Sequence, residues 1–370
     1  MKYYLIAGEA SGDLHGANLI KAISAEDESA EFRFWGGERM AECSGNSPVV
    51  HYRNMAFMGF WEVVRNLRTI ASFLKKCKKD LLRYRPDVLV LIDYPGFNMR
   101  MAAFAKANGI KVAYYIAPQV WAWKKNRVFK LKKTVDELIS ILPFEKEFFA
   151  GFGMEVQYVG HPLLDAIGDK SDWTKQAEAE WLEGPPIIAL LPGSRKQEVE
   201  TILPIMLSVR KDFPEYRWKV AQAPSLPVEF YQSLLKGMDV ELVADKTYPL
   251  LSVAHAALVT SGTATLETAL FGVPEVVCYK GSAISYRIAR ALVKIRFISL
   301  VNLIVNREMV KELIQQDLTA DQLRANLQSI LEESSRARLN EGYQELQKIL
   351  GSGGASKRAA RIVSALAERV

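Results

Sequence analysis

Asp87-Val88-Leu89-Val90-Leu91-Ile92-Asp93-Tyr94-Pro95-Gly96-Phe97-Asn98 is the stretch that decides the fold. Five consecutive apolar, largely β-branched residues form a run too short for a buried helix and long enough for a strand covered on both faces. Pro95 and Gly96 punctuate it, and a helical pattern follows. The same alternation of apolar run and helical stretch recurs through the first half at Tyr3 to Gly8, Glu31 to Trp35, Lys111 to Ile116, Glu137 to Leu142 and Val156 to Val159. It recurs through the second half at Ile187 to Leu191, Tyr216 to Ala221, Val240 to Val243, Ala256 to Thr260 and Glu275 to Tyr279. Strands that alternate with helices build parallel sheets wound on both faces, so the expectation is an α/β chain with two doubly wound, Rossmann-like domains facing across a cleft.

Length agrees, because 370 residues exceed what one hydrophobic core ordinarily organises. We expect a first domain over 1–165, a polar linker over 166–184 bounded by His161-Pro162 and Gly184-Pro185-Pro186, and a second domain over 185–350. After about residue 305 the chain reads as helical and charged. Gly351-Ser352-Gly353-Gly354 interrupts it before a last helix, 355–370, expected to join the first domain.

Composition narrows the class. Hydrophobic residues are 49% and charged residues 24%, a globular balance, and no apolar run is long enough to span a bilayer. The opening residues enter a strand pattern directly, so no export is expected. Cys43, Cys77 and Cys278 are widely spaced, without a C-x-x-C pair, and suit a reducing compartment. The four histidines are dispersed and no D-x-D element occurs, so neither a catalytic metal nor another cofactor is expected. A net charge of +6 favours an anionic partner without choosing among nucleic acid, phospholipid and phosphorylated substrate.

Ligands of open α/β sheets collect beyond the carboxyl ends of the strands, and four loops there carry polar chemistry. Gly8-Glu9-Ala10-Ser11-Gly12-Asp13 allows a tight turn ahead of a helix whose first N–H groups face an anion; a Ser11 or Asp13 cap explains it equally well. Asp93 sits on the sheet rim, where a carboxylate that takes a proton from an attacking hydroxyl belongs, and its competing role is a helix cap. Leu191-Pro192-Gly193-Ser194-Arg195 joins a strand end, a small-residue turn and a guanidinium, the parts of a diphosphate site. Ser261-Gly262-Thr263-Ala264-Thr265-Leu266-Glu267 offers hydroxyls and a helix N-terminus to a nucleotide, with Glu267 placed for ribose; the competing reading is a capping box.

Two segments mix aromatic and basic residues. In the stretch from Phe57 to Lys79, Phe57, Met58, Phe60, Trp61, Val64, Leu67, Phe73 and Leu74 are the candidates for membrane or acyl contact, and the basic flank includes Lys75, Lys76, Lys78 and Lys79. A core-facing stripe explains the apolar residues equally well. Trp121-Ala122-Trp123-Lys124-Lys125-Asn126-Arg127-Val128-Phe129-Lys130 has the look of a nucleic-acid surface, yet a membrane accounts for both segments and no nucleic-acid partner is expected.

Taken in order, Gly8 to Asp13, Ile92-Asp93 with Pro95, Pro118-Gln119-Val120-Trp121-Ala122-Trp123, Leu142-Pro143-Phe144-Glu145, Gly160-His161-Pro162, Leu191 to Arg195 and Ser261 to Glu267 resemble the lipid A disaccharide synthase family over nearly the whole chain. The resemblance implies a GT-B fold and a metal-independent, inverting transfer. The donor would be UDP-2,3-diacylglucosamine, the acceptor 2,3-diacylglucosamine 1-phosphate, and the products a β-1,6-linked disaccharide and UDP. It implies Asp93 as base, Arg195 as the catalytic cation, and Glu9, Ser11, Gly12 and Asp13 at the acceptor. Gly193, Ser194, Arg195, Ser261, Gly262, Thr263, Thr265, Glu267 and Asn302 would hold the donor. It also implies a peripheral place on anionic phospholipid at the inner face of the bacterial inner membrane, in the cytoplasm; a homodimer is allowed for. The chain departs from the family pattern at Gly96, where an Asp often stands, and at Ala117 and Val301. Rival readings are a UDP-N-acetylglucosamine 2-epimerase, a transferase acting on peptidoglycan precursors, and a non-catalytic lipid- or nucleotide-binding module.

Overall fold

The structure is a computed structural model that describes residues 1–55, 67–282, 286 and 295–369. The chain divides into two compact units, one of Met1–Ala166 with Ser352–Val370 and one of Ile167–Gly351. The first holds six parallel strands, β1 Lys2–Ala7, β2 Glu31–Trp35, β3 Val88–Ile92, β4 Lys111–Tyr115, β5 Glu137–Ser140 and β6 Gln157–Tyr158, in the order β2-β1-β3-β4-β5-β6. The second holds β7 Ile187–Leu191, β8 Arg217–Ala221, β9 Glu241–Val243, β10 Ala256–Thr260, β11 Glu275–Tyr279 and β12 Lys311–Ile314, in the order β12-β11-β10-β7-β8-β9.

Both orders contain one reversal. The chain runs outward from β1 to β2, then returns to the other side of β1 at β3; likewise it runs from β7 to β9 and returns beside β7 at β10. Such a reversal opens a crevice above the carboxyl ends of the two strands, because the following helices leave to opposite faces. The loops after β1 and β3 therefore flank one crevice, and those after β7 and β10 flank another. These are the four polar loops of the sequence.

β3 is fully buried along its length and pairs with β1 and β4, with Ala7 opposite Ile92 and Ile92 opposite Tyr115. The core around it includes Tyr4, Trp35, Leu89, Leu91, Tyr114 and Phe149. The Trp35 indole donates to Tyr4 Oη at 2.7 Å, and Tyr4 Oη donates to Asp80 at 2.7 Å, so the large polar rings are buried with partners. The second unit's core is built on Leu191, Val259, Leu250 and Trp181.

The last helix, Ala355–Glu368, closes the first unit. Tyr3 Oη meets Ser364 Oγ at 3.3 Å, Lys111 Nζ donates to the Ala367 carbonyl at 3.1 Å, and the Asp165 carboxylate accepts from the backbone N–H groups of Gly354 and Ser356.

Three expectations change. The segment 166–184, expected as a linker, is folded onto the second unit as helices Lys170–Gln176 and Ala179–Leu182. Trp181 is buried there and Trp173 packs edge-on against Tyr248 at 5.2 Å; two indoles hold down a polar stretch. β12 is an edge strand in a region expected to be helical. In helix Leu67–Tyr84 the 3.6-residue period puts Phe73, Leu74, Cys77 and Leu81 on the face toward the sheet, Phe73 lying 6.1 Å from Trp35. Phe73 and Leu74 are thus core-facing rather than membrane-facing, while Lys75, Lys76 and Lys79 are exposed. Phe57, Met58, Phe60, Trp61 and Val64 lie outside the described residues, and Leu67 opens the helix. Among the described residues no helix is long and apolar enough to cross a membrane.

Candidate functional site

Asp93 stands where β3 ends, on the first crevice. Its backbone is left-handed, with φ of 44°, and so is that of Tyr94, with φ of 49°. One strand over, Ile116 repeats this at 63°, a conformation that is sparsely populated for a β-branched residue. Such residues cost about 1–3 kcal/mol each and persist where surroundings enforce them. Here the enforcement is visible: the Asp93 carbonyl accepts from Tyr114 Oη at 2.7 Å and from Asn98 Nδ2 at 2.8 Å, and the Asp93 N–H donates to the Tyr115 carbonyl at 3.1 Å. Asn98 Nδ2 also reaches the Ile92 carbonyl at 3.2 Å. Pro95 then opens helix Pro95–Ala107 with its φ already set.

The Tyr94 ring turns back over the first loop. A Cβ on Gly8 would lie 2.3 Å from that ring, so only glycine fits there, and Tyr94 Oη donates to the Met55 carbonyl at 2.8 Å. Burial pushes the Asp93 carboxyl up to about 6, against the Tyr94 N–H, which favours the ionised form. A second carboxyl is nearby. Glu145 is 1% exposed and pushed up to about 7 by burial, with the N–H of Leu142, the Trp121 indole and the N–H of Ile141 opposing and the Asp93 charge adding. Trp121 Nε1 donates to Glu145 Oε1 at 3.1 Å, and the Ile141 and Leu142 N–H groups donate to Oε2 at 3.2 and 3.1 Å. Glu145 was visible in the Leu142 to Glu145 motif; its proximity to Asp93 was not.

Of the acceptor candidates, Glu9 holds the N-cap position of helix Ala10–Glu26 without capping it through its side chain, Ser11 is half-buried beside it, and Gly12 packs on Ala7. Asp13 does something else. It is 2% exposed, and its carboxylate accepts from the N–H groups of Gly37 at 2.6 Å, Arg39 at 3.1 Å and Met40 at 3.3 Å. It caps the start of helix Glu38–Ser44 and is spent on the fold, so a direct acceptor contact is corrected to a structural one.

On the second crevice, Gly193 has φ of 114°, and a Cβ there would meet Glu198 at 2.7 Å. The Glu198 carboxylate lies over the loop, accepting from the Ser194 N–H at 3.3 Å and from Arg195 Nη1 at 2.9 Å. Backbone and guanidinium donors converge on one pair of anionic oxygens, which is the geometry a phosphate needs. Ser225 Oγ steadies the loop by donating to the Ser194 carbonyl at 2.8 Å.

After β10, helix Thr263–Phe271 begins at Gly262 with no side-chain cap, so the capping-box alternative is not what the chain adopts. Its first turn is left open to an anion. Ser261 is half-buried, its hydroxyl donating to the Ile298 carbonyl at 2.9 Å, and Glu267 accepts from Tyr248 Oη at 2.7 Å. Two expected donor contacts move. Thr265 is fully buried, its hydroxyl donating back to the Gly262 carbonyl at 2.8 Å. Asn302 is fully buried with every hydrogen-bonding position used: Nδ2 donates to the Val310 carbonyl at 2.8 Å and to Glu312 at 2.9 Å, and Oδ1 accepts from the N–H groups of Met309 and Val310 at 2.7 and 2.9 Å. Both shape the loops rather than reach a ligand.

Two Rossmann-type units, each with its polar loops gathered at a strand-order reversal, place the chain in the GT-B class of fold. A UDP-GlcNAc 2-epimerase structure from Neisseria meningitidis, bound to UDP-GlcNAc, shares that fold, with a TM-score of 0.68 over 100% of both chains at 15% identity. The sequence comparisons are narrower. The profile of the family described as lipid-A-disaccharide synthetase matches residues 3–366. The lipid-A-disaccharide synthase of Syntrophus aciditrophicus is 39% identical over 365 residues, covering 96% of this chain and 95% of that protein. That of Trichlorobacter lovleyi is 36% identical over 373 residues, covering 99% and 97%. The chain belongs to the lipid-A-disaccharide synthetase family and is a glycosyltransferase of lipid A biosynthesis.

Proposed function

We propose that the protein transfers 2,3-diacylglucosamine from its UDP derivative to the 6-hydroxyl of 2,3-diacylglucosamine 1-phosphate, with inversion, to give the β-1,6-linked disaccharide and UDP. The observation that carries this is the position and ionisation of Asp93: a carboxylate at a strand-order reversal, held on an enforced left-handed turn, with its affinity for protons raised to about 6. A base of that strength is ionised at neutral pH yet takes a proton more readily than an ordinary aspartate.

Asp93 removes the proton of the acceptor hydroxyl as its oxygen bonds to the anomeric carbon. The bond from that carbon to the β-phosphate oxygen breaks, and the electron pair leaves with UDP. The Gly193-Ser194 turn and Arg195 neutralise the charge that grows on the diphosphate, with Glu198 yielding its place, and the open N-terminus of helix Thr263–Phe271 supplies further N–H donors. Ser261 and Thr263 border the nucleotide, and Glu267 takes its ribose. Glu9, Ser11 and Gly12 border the acceptor. Exposed Lys75, Lys76 and Lys79 hold the enzyme against anionic phospholipid at the inner face of the inner membrane, within reach of its acylated substrates.

The test supplies the purified protein with both substrates in detergent plus EDTA and follows UDP release and disaccharide. Turnover is expected, with sharp losses in Asp93→Ala and Arg195→Ala; wild-type rates in both variants would overturn the roles. Charge reversal of the three lysines is expected to weaken binding to anionic vesicles, and unchanged binding would remove the membrane assignment.

A further inference from the structure

The loop after β4 is unlike the other loops of the first unit. Its first half is buried: Ala117, Val120, Trp121 and Ala122 are all under 9% exposed, and the Trp121 indole is tied to Glu145. Its second half surfaces as Trp123, Lys124 and Arg127. Lys124 Nζ lies 4.4 Å and the Arg127 guanidinium 4.9 Å from the centroid of the half-buried Trp123 ring. We propose that Trp123, Lys124 and Arg127 form a seat for the phosphomonoester of the acceptor, on the loop next to that of Asp93 along the rim of the first sheet. The inference deepens the transferase reading above and rests on it.

Three observations support the seat. Among the described residues neither Lys124 nor Arg127 is paired with a carboxylate, so two cations gather at one indole with no counter-charge of their own. Their contact with the indole face removes much of the rotamer freedom that a bound anion would otherwise have to quench, leaving donors arranged in advance. The backbone is also committed: Lys124 is left-handed at φ of 55°, its carbonyl accepts from the Arg127 N–H at 2.9 Å, and helix Arg127–Thr134 starts at that point.

Position then selects the ligand. β4 pairs with β3, so this loop and the Asp93 turn leave neighbouring strands at the same end of the sheet. The phenol of Tyr114, whose hydroxyl holds the Asp93 carbonyl, feels the Asp93 and Arg127 charges in opposite directions. A sugar with its 6-hydroxyl at Asp93 can extend its anomeric phosphate along this rim. A phosphomonoester carries about −1.5 to −2 charges and three acceptor oxygens, which suits one guanidinium and one ammonium.

The same chemistry occurs in a phospholipid headgroup, and steady-state kinetics separates the two sources. Wild type, Arg127→Ala, Lys124→Ala and Arg127→Lys are assayed with 2,3-diacylglucosamine 1-phosphate and with the dephosphorylated sugar, alongside binding to vesicles containing phosphatidylglycerol. Loss of a charge-assisted contact is expected to raise KM for the phosphorylated acceptor about 10-fold or more. KM for the dephosphorylated sugar and for the donor should stay as they are, and Arg127→Lys should restore part of the loss. Lys130→Ala, on the exposed side of the same helix, should leave every KM unchanged. An equal rise for both acceptors, or an unchanged KM with weakened vesicle binding, would overturn the seat. Should the wild type turn over neither acceptor, the transferase reading fails by itself. Equilibrium binding of glucosamine 1-phosphate against glucosamine, in wild type and Arg127→Ala, then decides the seat independently: a preference for the phosphate that Arg127→Ala abolishes supports it, and no preference overturns it.

Discussion

Replacing Asp93 by Asn separates the catalytic role proposed for this residue from its effect on the fold. Burial lifts its carboxyl from 3.8 to about 6. Two pKa units correspond to about 3 kcal/mol as a ceiling, and the partial accessibility of the residue brings the expectation to about 1–3 kcal/mol. The sign follows from proton counting. Between pH 4 and 6 the folded protein retains a proton that the unfolded chain has released, so stability falls as pH rises through that window and the full penalty stands above it. Asn does not titrate and can still accept the Tyr94 N–H. Asp93→Asn should therefore melt a few degrees higher than wild type at pH 8, about 2–4 °C per kcal/mol for a unit of this size, and gain less at pH 5. Turnover should fall by about 10²- to 10⁴-fold, while wild-type kcat should rise with pH through about 6 and then level. Scanning calorimetry at the two pH values, run beside the UDP-release assay, measures both. A gain over wild type no larger at pH 8 than at pH 5, with turnover near the wild-type rate, would refute the buried-base account.

Other groups give independent tests. Tyr114→Phe removes one of two hydroxyl or amide donors from the Asp93 carbonyl, and loosening the turn should lower kcat about 10-fold with both KM values and the melting point little changed. Glu275 is fully buried, neither carboxylate oxygen has a hydrogen-bond partner among the described residues, and burial, with Glu312 adding, holds its carboxyl well above the usual range. The folded state thus keeps a proton that the unfolded chain loses above about pH 4.5. Glu275→Gln should gain stability over wild type as pH rises from 5 to 8, read by thermal melts, without loss of turnover. Asn302→Ala should destabilise the second unit by about 2–4 kcal/mol in urea titrations, because it strands buried groups of Val310, Met309 and Glu312, while UDP affinity of the folded protein stays within about 2-fold.

How much of this could be read from the residues alone follows from what each signal encodes. Ile187 to Leu191 and Ala256 to Thr260 are continuous apolar runs, and both strands form with those bounds because burial on two faces leaves little room for polar residues. The end of such a run is where a crevice residue must stand, so Asp93 was legible by position. Tyr114 was not, since its ring reads as strand filler and only the tertiary fold shows its hydroxyl at the Asp93 carbonyl. Asp13 and Asn302 have the polarity of ligand-binding groups, but their partners, backbone groups and for Asn302 also the Glu312 carboxylate, are not revealed by local spacing. Lys311-Glu312-Leu313-Ile314 is short and half charged, as an edge strand tends to be, and its place in the sheet comes from pairing with β11. The polar run 166–184 concealed two indoles whose burial only the second unit's surface explains.

The return of helix Ala355–Glu368 to strands laid down at the beginning of the chain imposes an order on biosynthesis. Residues 167–351 are contiguous and can assemble as soon as the ribosome releases them, while the early sheet waits with Tyr3 and Lys111 uncovered until helix Ala355–Glu368 emerges. The unit that holds Asp93 is therefore the last to mature, although its strands are translated before the other unit, and a chain ended prematurely near Gly351 would carry a finished second unit and an unfinished first one.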